Sequence, residues 1–127
     1  MEFNFEELKV YQKALDFVDE IYKLTKNFPK DELYGLTSQV RRASTSIALN
    51  ISEGSGKSNK EFARFVIIAR GSVFECFTIL KISLNLKVID QKQFLTLKNK
   101  LIELSKMLIS LKNSLITHNS RLITHNL

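Results

Sequence analysis

The sequence predicts an all-α fold, an antiparallel up-and-down four-helix bundle. Three observations carry that prediction. Helix breakers are scarce: the 127 residues hold one proline, Pro29, and four glycines, Gly35, Gly54, Gly56 and Gly71. Long uninterrupted segments result, whereas a fold of many short strands needs frequent turns. Within those segments apolar residues recur at three- and four-residue steps. Three pairs with capping-box spacing, Asn4/Glu7, Ser58/Glu61 and Asp90/Gln93, stand where segments begin. The length suits one domain, with a core large enough to need no staples.

The first helix is expected to start at Asn4 and to stop at Phe28-Pro29, because the residue before proline avoids the α region. Its apolar positions are Leu8, Tyr11, Leu15, Val18, Ile21, Tyr22 and Thr25, with Lys9, Gln12, Asp16, Asp19, Glu20 and Lys23 opposite. A turn over Lys30 to Gly35 leads to the second helix, which runs to about Glu53. Leu36, Val40, Ala43, Ile47 and Ile51 form its narrow apolar stripe. The small residues Ser38, Ser44, Thr45, Ser46, Ala48 and Ser52 allow a neighbouring helix to approach closely.

Ser58 opens the third helix, which continues to about Leu86. Phe62, Phe65, Val66, Ala69, Val73, Cys76, Leu80 and Leu84 form one apolar face. Ile67, Phe74 and Ile82 form a second, around Gly71 and Thr78. A helix that is apolar nearly all round is buried on several sides. The second stripe therefore predicts a homo-oligomer, with Ile67, Phe74 and Ile82 at the interface. Asp90 opens the fourth helix, whose leucine face is Phe94, Leu97, Leu101, Leu104, Leu108, Leu111 and Leu115. The bundle is thus assigned to residues 1–117. Residues 118–127 form a C-terminal tail, either frayed or an extension of the fourth helix. There Leu115-Ile116-Thr117-His118-Asn119 returns seven residues later as Leu122-Ile123-Thr124-His125-Asn126.

The residues give no support for an enzyme. Cys76 is the only cysteine, so no internal disulfide forms, which fits a reducing cytoplasm. It reads as a small buried apolar residue. The acidic N-terminus lacks a signal-peptide layout, and no apolar run is long enough to span a membrane. Gly54-Ser55-Gly56-Lys57-Ser58 resembles the end of a phosphate loop. It lacks the first glycine at the required spacing and follows a helix where a strand is needed. His118 and His125 have no Cys or acidic partner nearby, a poor metal set. Glu53, Glu61 and Glu75 lack the Glu-x-x-His pairs of a di-metal bundle. No cofactor, metal or catalytic residue is expected.

Two polar groupings remain. Gln39, Arg42, Ser46, Asn50 and Glu53 share one edge of the second helix. They are read as a buried structural network, with Glu75 and Ser72 as partners for Arg42 and Asn50. The alternative is the lining of a small pocket. The second grouping is basic: Arg41, Arg42, Lys57, Lys60, Arg64 and Arg70. Lys60 and Arg64 lie one helical turn apart. The formal net charge is +6. Residues 1–35 hold five Lys against eight Asp or Glu, and the rest hold fourteen Lys or Arg against five acids. Such a basic majority suits a polyanion, although an acidic first helix docked on basic neighbours also accounts for it.

Several ordered motifs resemble a known family. They are Phe28-Pro29-Lys30-Asp31-Glu32-Leu33-Tyr34-Gly35-Leu36-Thr37-Ser38-Gln39-Val40-Arg41-Arg42-Ala43, then Ser46-Ile47 with Asn50-Ile51-Ser52-Glu53-Gly54. Glu61-Phe62, Arg64-Phe65, Ala69, Gly71-Ser72 and Glu75 follow. Over roughly residues 5–115 the chain is similar to the four-helix-bundle family of bacterial large-subunit (23S) rRNA intervening sequences. That family is related to the accessory variability protein of diversity-generating retroelements. The resemblance implies an up-and-down bundle assembled as a ring-shaped homopentamer. For the retroelement relatives it also implies a basic surface that binds nucleic acid and a reverse transcriptase partner. Tyr11, Ala48 and Lys87 depart from the family pattern, where Trp, Pro and a turn Gly are usual.

The resulting expectation is a non-enzymatic, oligomeric protein that binds RNA or DNA, with RNA favoured. Arg41, Lys57, Lys60 and Arg64 would contact phosphates without reading sequence. The alternative is a protein-interaction scaffold, such as a reverse-transcriptase accessory subunit, in which the second apolar stripe matters more than charge.

Overall fold

The computed structural model describes the backbone of residues 4–125 and the side chains of residues 4–117. It contains four α-helices: α1 (Lys9–Thr25), α2 (Ser38–Ser55), α3 (Asn59–Asn85) and α4 (Gln91–His125). Each packs on its neighbour in the chain, and α1 closes against α4. The fold is therefore the all-α four-helix bundle that the spacing predicts. No helix among the described residues is long and apolar enough to cross a membrane. The side chains of the repeated tail, 118–127, lie outside the described residues.

The start and the buried face of α1 differ from expectation. Asn4–Glu7 is a single 3-10 turn, and Leu8, with extended backbone, separates it from α1. Asn4 therefore does not cap α1; instead Gln12 Nε2 donates back to the Glu6 carbonyl at 2.9 Å. The buried series is Val10, Ala14, Phe17, Ile21 and Thr25, while Leu15 and Tyr22 are exposed. Two apolar series share this helix at helical spacing, and the one containing Phe17 wins. Burying a phenylalanine completely is worth about 1.5–3 kcal/mol, and Phe17 is 1% exposed. Leu8 and Tyr11 pack along the edge of the core.

Small residues let α2 approach α3 closely at two places: Ser46, as expected, and Gly54, which lies inside α2 rather than in the loop beyond Glu53. Val40, Ala43, Ser44, Ile47, Ala48, Ile51 and Gly54 are buried on α2. At Gly54 a Cβ would lie 2.6 Å from Phe65 Cβ and 2.9 Å from Phe62 Cδ1, so only glycine permits this approach. Further along, Ser46 and Ser72 hydroxyls meet at 2.8 Å. These two contacts fix an antiparallel register in which paired positions sum to about 118. The Ser58 hydroxyl accepts the Glu61 N–H at 3.3 Å and caps α3.

The turn after α3 is a Schellman closure. Val88 N–H donates to the Ser83 carbonyl at 2.8 Å and Lys87 N–H to Leu84 at 2.9 Å. Lys87 adopts the left-handed conformation, φ 62°, that this motif demands. The α4 capping box forms in both directions. Gln93 N–H donates to Asp90 Oδ1 at 2.8 Å, and Asp90 N–H to Gln93 Oε1 at 3.0 Å. Phe94, Leu97, Leu101, Leu104 and Leu108 then enter the core. Ion pairs Lys13–Glu103, at 2.8 Å, and Lys100–Glu20 join α1 to α4. One pair runs acid to base and the other base to acid. Since α1 itself holds three Lys and three Asp or Glu, and the two pairs run in opposite senses, these contacts leave the basic excess of the later helices unchanged.

Candidate nucleic-acid interface

The six basic candidates occupy three places. Lys57, Lys60 and Arg64 are exposed at the end of the bundle where α2 turns into α3. Two of them converge on one ring: Lys57 Nζ lies 5.6 Å and Arg64 Cζ 5.3 Å from the Phe65 centroid. A cation near an aromatic face is held by the ring quadrupole without being neutralised. Arg64 also pairs with Glu61 at 3.1 Å, a solvent-exposed pair of small energetic weight.

Arg41 and Arg42 lie some 13 residues before Ser55 on α2, about 20 Å along the helix axis at 1.5 Å per residue. Arg41 is half-buried. Its Nε–H donates to Thr25 Oγ1 at 2.9 Å, and its guanidinium sits 4.4 Å over the Tyr22 ring. Arg42 is exposed. Arg70 faces α4, with its Nε–H donating to Ser105 Oγ at 3.2 Å and its guanidinium 4.8 Å over Phe74. It belongs with the apolar α3–α4 surface rather than with the loop end.

The expected buried polar network is smaller than the sequence reading. Its hydrogen-bonded members are Ser46, Asn50 and Ser72: Asn50 Nδ2 donates to the Ser46 carbonyl at 2.8 Å and to Ser46 Oγ at 3.0 Å. Gln39, Arg42, Glu53 and Glu75 are exposed instead. The physical reason is the tight α2–α3 spacing. It leaves room for two hydroxyls and an amide, while full charges are cheaper in water.

The second apolar stripe is open. Ile67, Phe74 and Ile82 are 53%, 51% and 41% exposed. Sequence reading missed its counterpart on α4, where Leu95, Ile102, Ile109 and Ile116 are all exposed. The signal was present as an unbroken seven-residue spacing beside the leucine face. Two grooves of about 340 and 440 Å³ flank Phe74. Arg70, Lys98, Lys106 and Lys112 rim them, and no carboxylate does so among the described residues.

Cys76 is fully buried, and burial, reinforced by the Glu75 charge, pushes its thiol up to about 12. It is therefore protonated and inert at neutral pH. Among the described residues no three His, Cys, Asp or Glu side chains are grouped as metal ligands.

Among the described residues, fold and site together define a four-helix-bundle protein with exposed cations and cation-rimmed surface grooves. Residues 6–110 match the 23S rRNA-intervening sequence protein family, and the chain belongs to that family. The chain is also similar to a crystal structure of a protein of unknown function from the S23 ribosomal protein family of Bacteroides thetaiotaomicron VPI-5482. The two share 27% identity with a TM-score of 0.76, over 82% of this chain and 95% of that one. No curated protein matches it in sequence.

Proposed function

We propose that this chain is a non-enzymatic nucleic-acid-binding protein, with RNA as its polymer, acting as a homo-oligomer. The observation that carries the reading is the exposed group Lys57, Lys60 and Arg64, two of whose charges are held at one phenylalanine ring. Cations arranged this way bind phosphates, position a polyanion and read no sequence. Membership of a family described by an rRNA intervening sequence favours RNA over DNA. The open stripe of Ile67, Phe74 and Ile82, facing the row on α4, supports self-association, and the family resemblance favours a pentameric ring. Repetition around such a ring multiplies the cationic surface. Titration of a fluorescent RNA hairpin at low salt tests the RNA reading. Binding should weaken by tenfold or more in the triple variant K57A/K60A/R64A, and unchanged affinity refutes the assignment.

A second reading is a protein-interaction scaffold with a polymerase as its partner. The cation-rimmed grooves beside Phe74 favour it. Phe74→Glu separates the two uses of that surface. A solution mass falling to the single-chain 14.6 kDa marks an interface between copies. Loss of a co-purified protein with the mass unchanged selects the scaffold.

A further inference from the structure

The connector between α1 and α2 contains a feature that the basic loop end does not explain. After a 3-10 turn at Lys30–Glu32 the backbone kinks within Leu33–Thr37, where Gly35 leaves helical geometry at φ −108°, ψ −111°. This turn lifts Tyr34 to 91% exposure, the highest of any large apolar or aromatic side chain described. A ring so exposed contributes almost nothing to the core, so folding does not account for its place. Beside it lies an open groove of about 710 Å³, bounded by Tyr22, Leu33, Tyr34, Arg41, Arg42 and Leu49.

The groove is cationic and chemically prepared. Arg41 is fixed by Thr25 and by the Tyr22 face, and that contact uses only its Nε–H. Its terminal N–H groups have no hydrogen-bond acceptor among the described residues. Arg42 adds a second, exposed guanidinium. No carboxylate lines the groove among the described residues. Glu32, the nearest acid before Tyr34 in the chain, has its carboxylate turned to the Leu36 N–H at 3.2 Å. The ligand that complements these groups carries a flat ring for Tyr34 and an anion for the two arginines.

We propose that this groove takes an unpaired nucleotide of single-stranded RNA, its base stacked on Tyr34 and its phosphate on Arg41 and Arg42. The proposal rests on the nucleic-acid reading above and adds a second contact, about 20 Å along α2 from the loop end. Charge complementarity and the exposed ring select this occupant. In a duplex the base faces are already stacked, so a concave site with an aromatic wall suits a strand whose bases can splay out.

The test compares a fluorescent 12-nucleotide oligouridine with a 12-base-pair RNA duplex, titrated against the full chain and its Tyr34→Leu, Tyr34→Phe and Arg42→Ala variants. The groove predicts that Tyr34→Leu weakens oligouridine binding by about tenfold, the scale of one lost base stack. It also predicts that Tyr34→Phe restores binding, that Arg42→Ala weakens it, and that duplex affinity hardly changes. Equal oligouridine affinity for Tyr34→Leu and the natural chain overturns the groove while leaving the basic loop end standing. A Tyr34→Leu variant whose solution mass drops overturns it too, because the ring then serves a second copy of the chain. Binding of neither RNA by the natural chain overturns the parent reading, and the groove with it.

Discussion

The α2–α3 hairpin and the α1–α2 corner are made of similar material: polar turn residues, glycine and a few aromatics. Apart from its exposed cations, Lys57, Lys60 and Arg64, the hairpin's groups have structural uses. Gly54 admits the Phe62 and Phe65 side chains, Ser46 meets Ser72, and Ser58 caps α3. In the corner the backbone departs from α geometry, and Leu33 and Tyr34 stand out in solvent. The contrast separates residues chosen by packing from residues that packing leaves unexplained. The second kind is where ligands and partners are to be sought.

Substitutions test this contrast. Gly54→Val should do the most damage, because its side chain meets a Cβ and a ring that cannot swing away. Overpacking of this kind costs about 1–3 kcal/mol, and urea denaturation should show a loss near the upper end. Tyr34→Ala, at the corner, should leave the same midpoint almost untouched. A large loss there would mean that the corner is packed after all.

Alkaline pH probes the packed side through Cys76. The folded thiol keeps its proton to about 12, against an ordinary value of 9.0. Above pH 9 the unfolded state releases that proton first. Stability that is complete below pH 9 is therefore lost progressively towards pH 12. Cys76→Ala should flatten the slope of unfolding free energy against pH over that window.

The smaller effects lie at two turns. Lys87→Gly should stabilise the chain by about 1 kcal/mol, since a side chain in the left-handed region costs on that order. Thermal unfolding measures it. Glu32→Ala removes the acceptor of the Leu36 N–H in the kinked turn, and a typical hydrogen bond contributes about 0.5–1.5 kcal/mol. Faster amide exchange at Leu36, without a comparable change at the Ser46 and Ser72 amides, would show that the corner loosens independently of the hairpin.

Much of the architecture was legible in the sequence because its signals are local. Ser58/Glu61 and Asp90/Gln93 are three residues apart, and both caps form. The stripe on α2 has few competitors among the small residues around it. In α1, two apolar series overlap, and periodicity alone cannot tell that the one with Phe17 turns inward. In the sequence Arg41 and Arg70 look like free charges because their partners are remote. Thr25 is 16 residues from Arg41 and Ser105 is 35 from Arg70. The exposed heptad row on α4 was visible in the spacing but hidden beside a stronger leucine face. The groove at Tyr34 could not be read at all, since it depends on an irregular turn that brings α1 and α2 side chains together.

The proposed function requires the cations at the α2–α3 end to bind RNA through its phosphates. Its most direct test is the salt dependence of RNA-hairpin affinity for the natural chain and for K57A/K60A/R64A. Each phosphate contact contributes about 0.7–0.9 to the slope of log K against log salt. Phosphate binding there gives a steep negative slope for the natural chain that becomes shallower by about 2 in the variant. Identical slopes, or no binding by the natural chain at low salt, would contradict it.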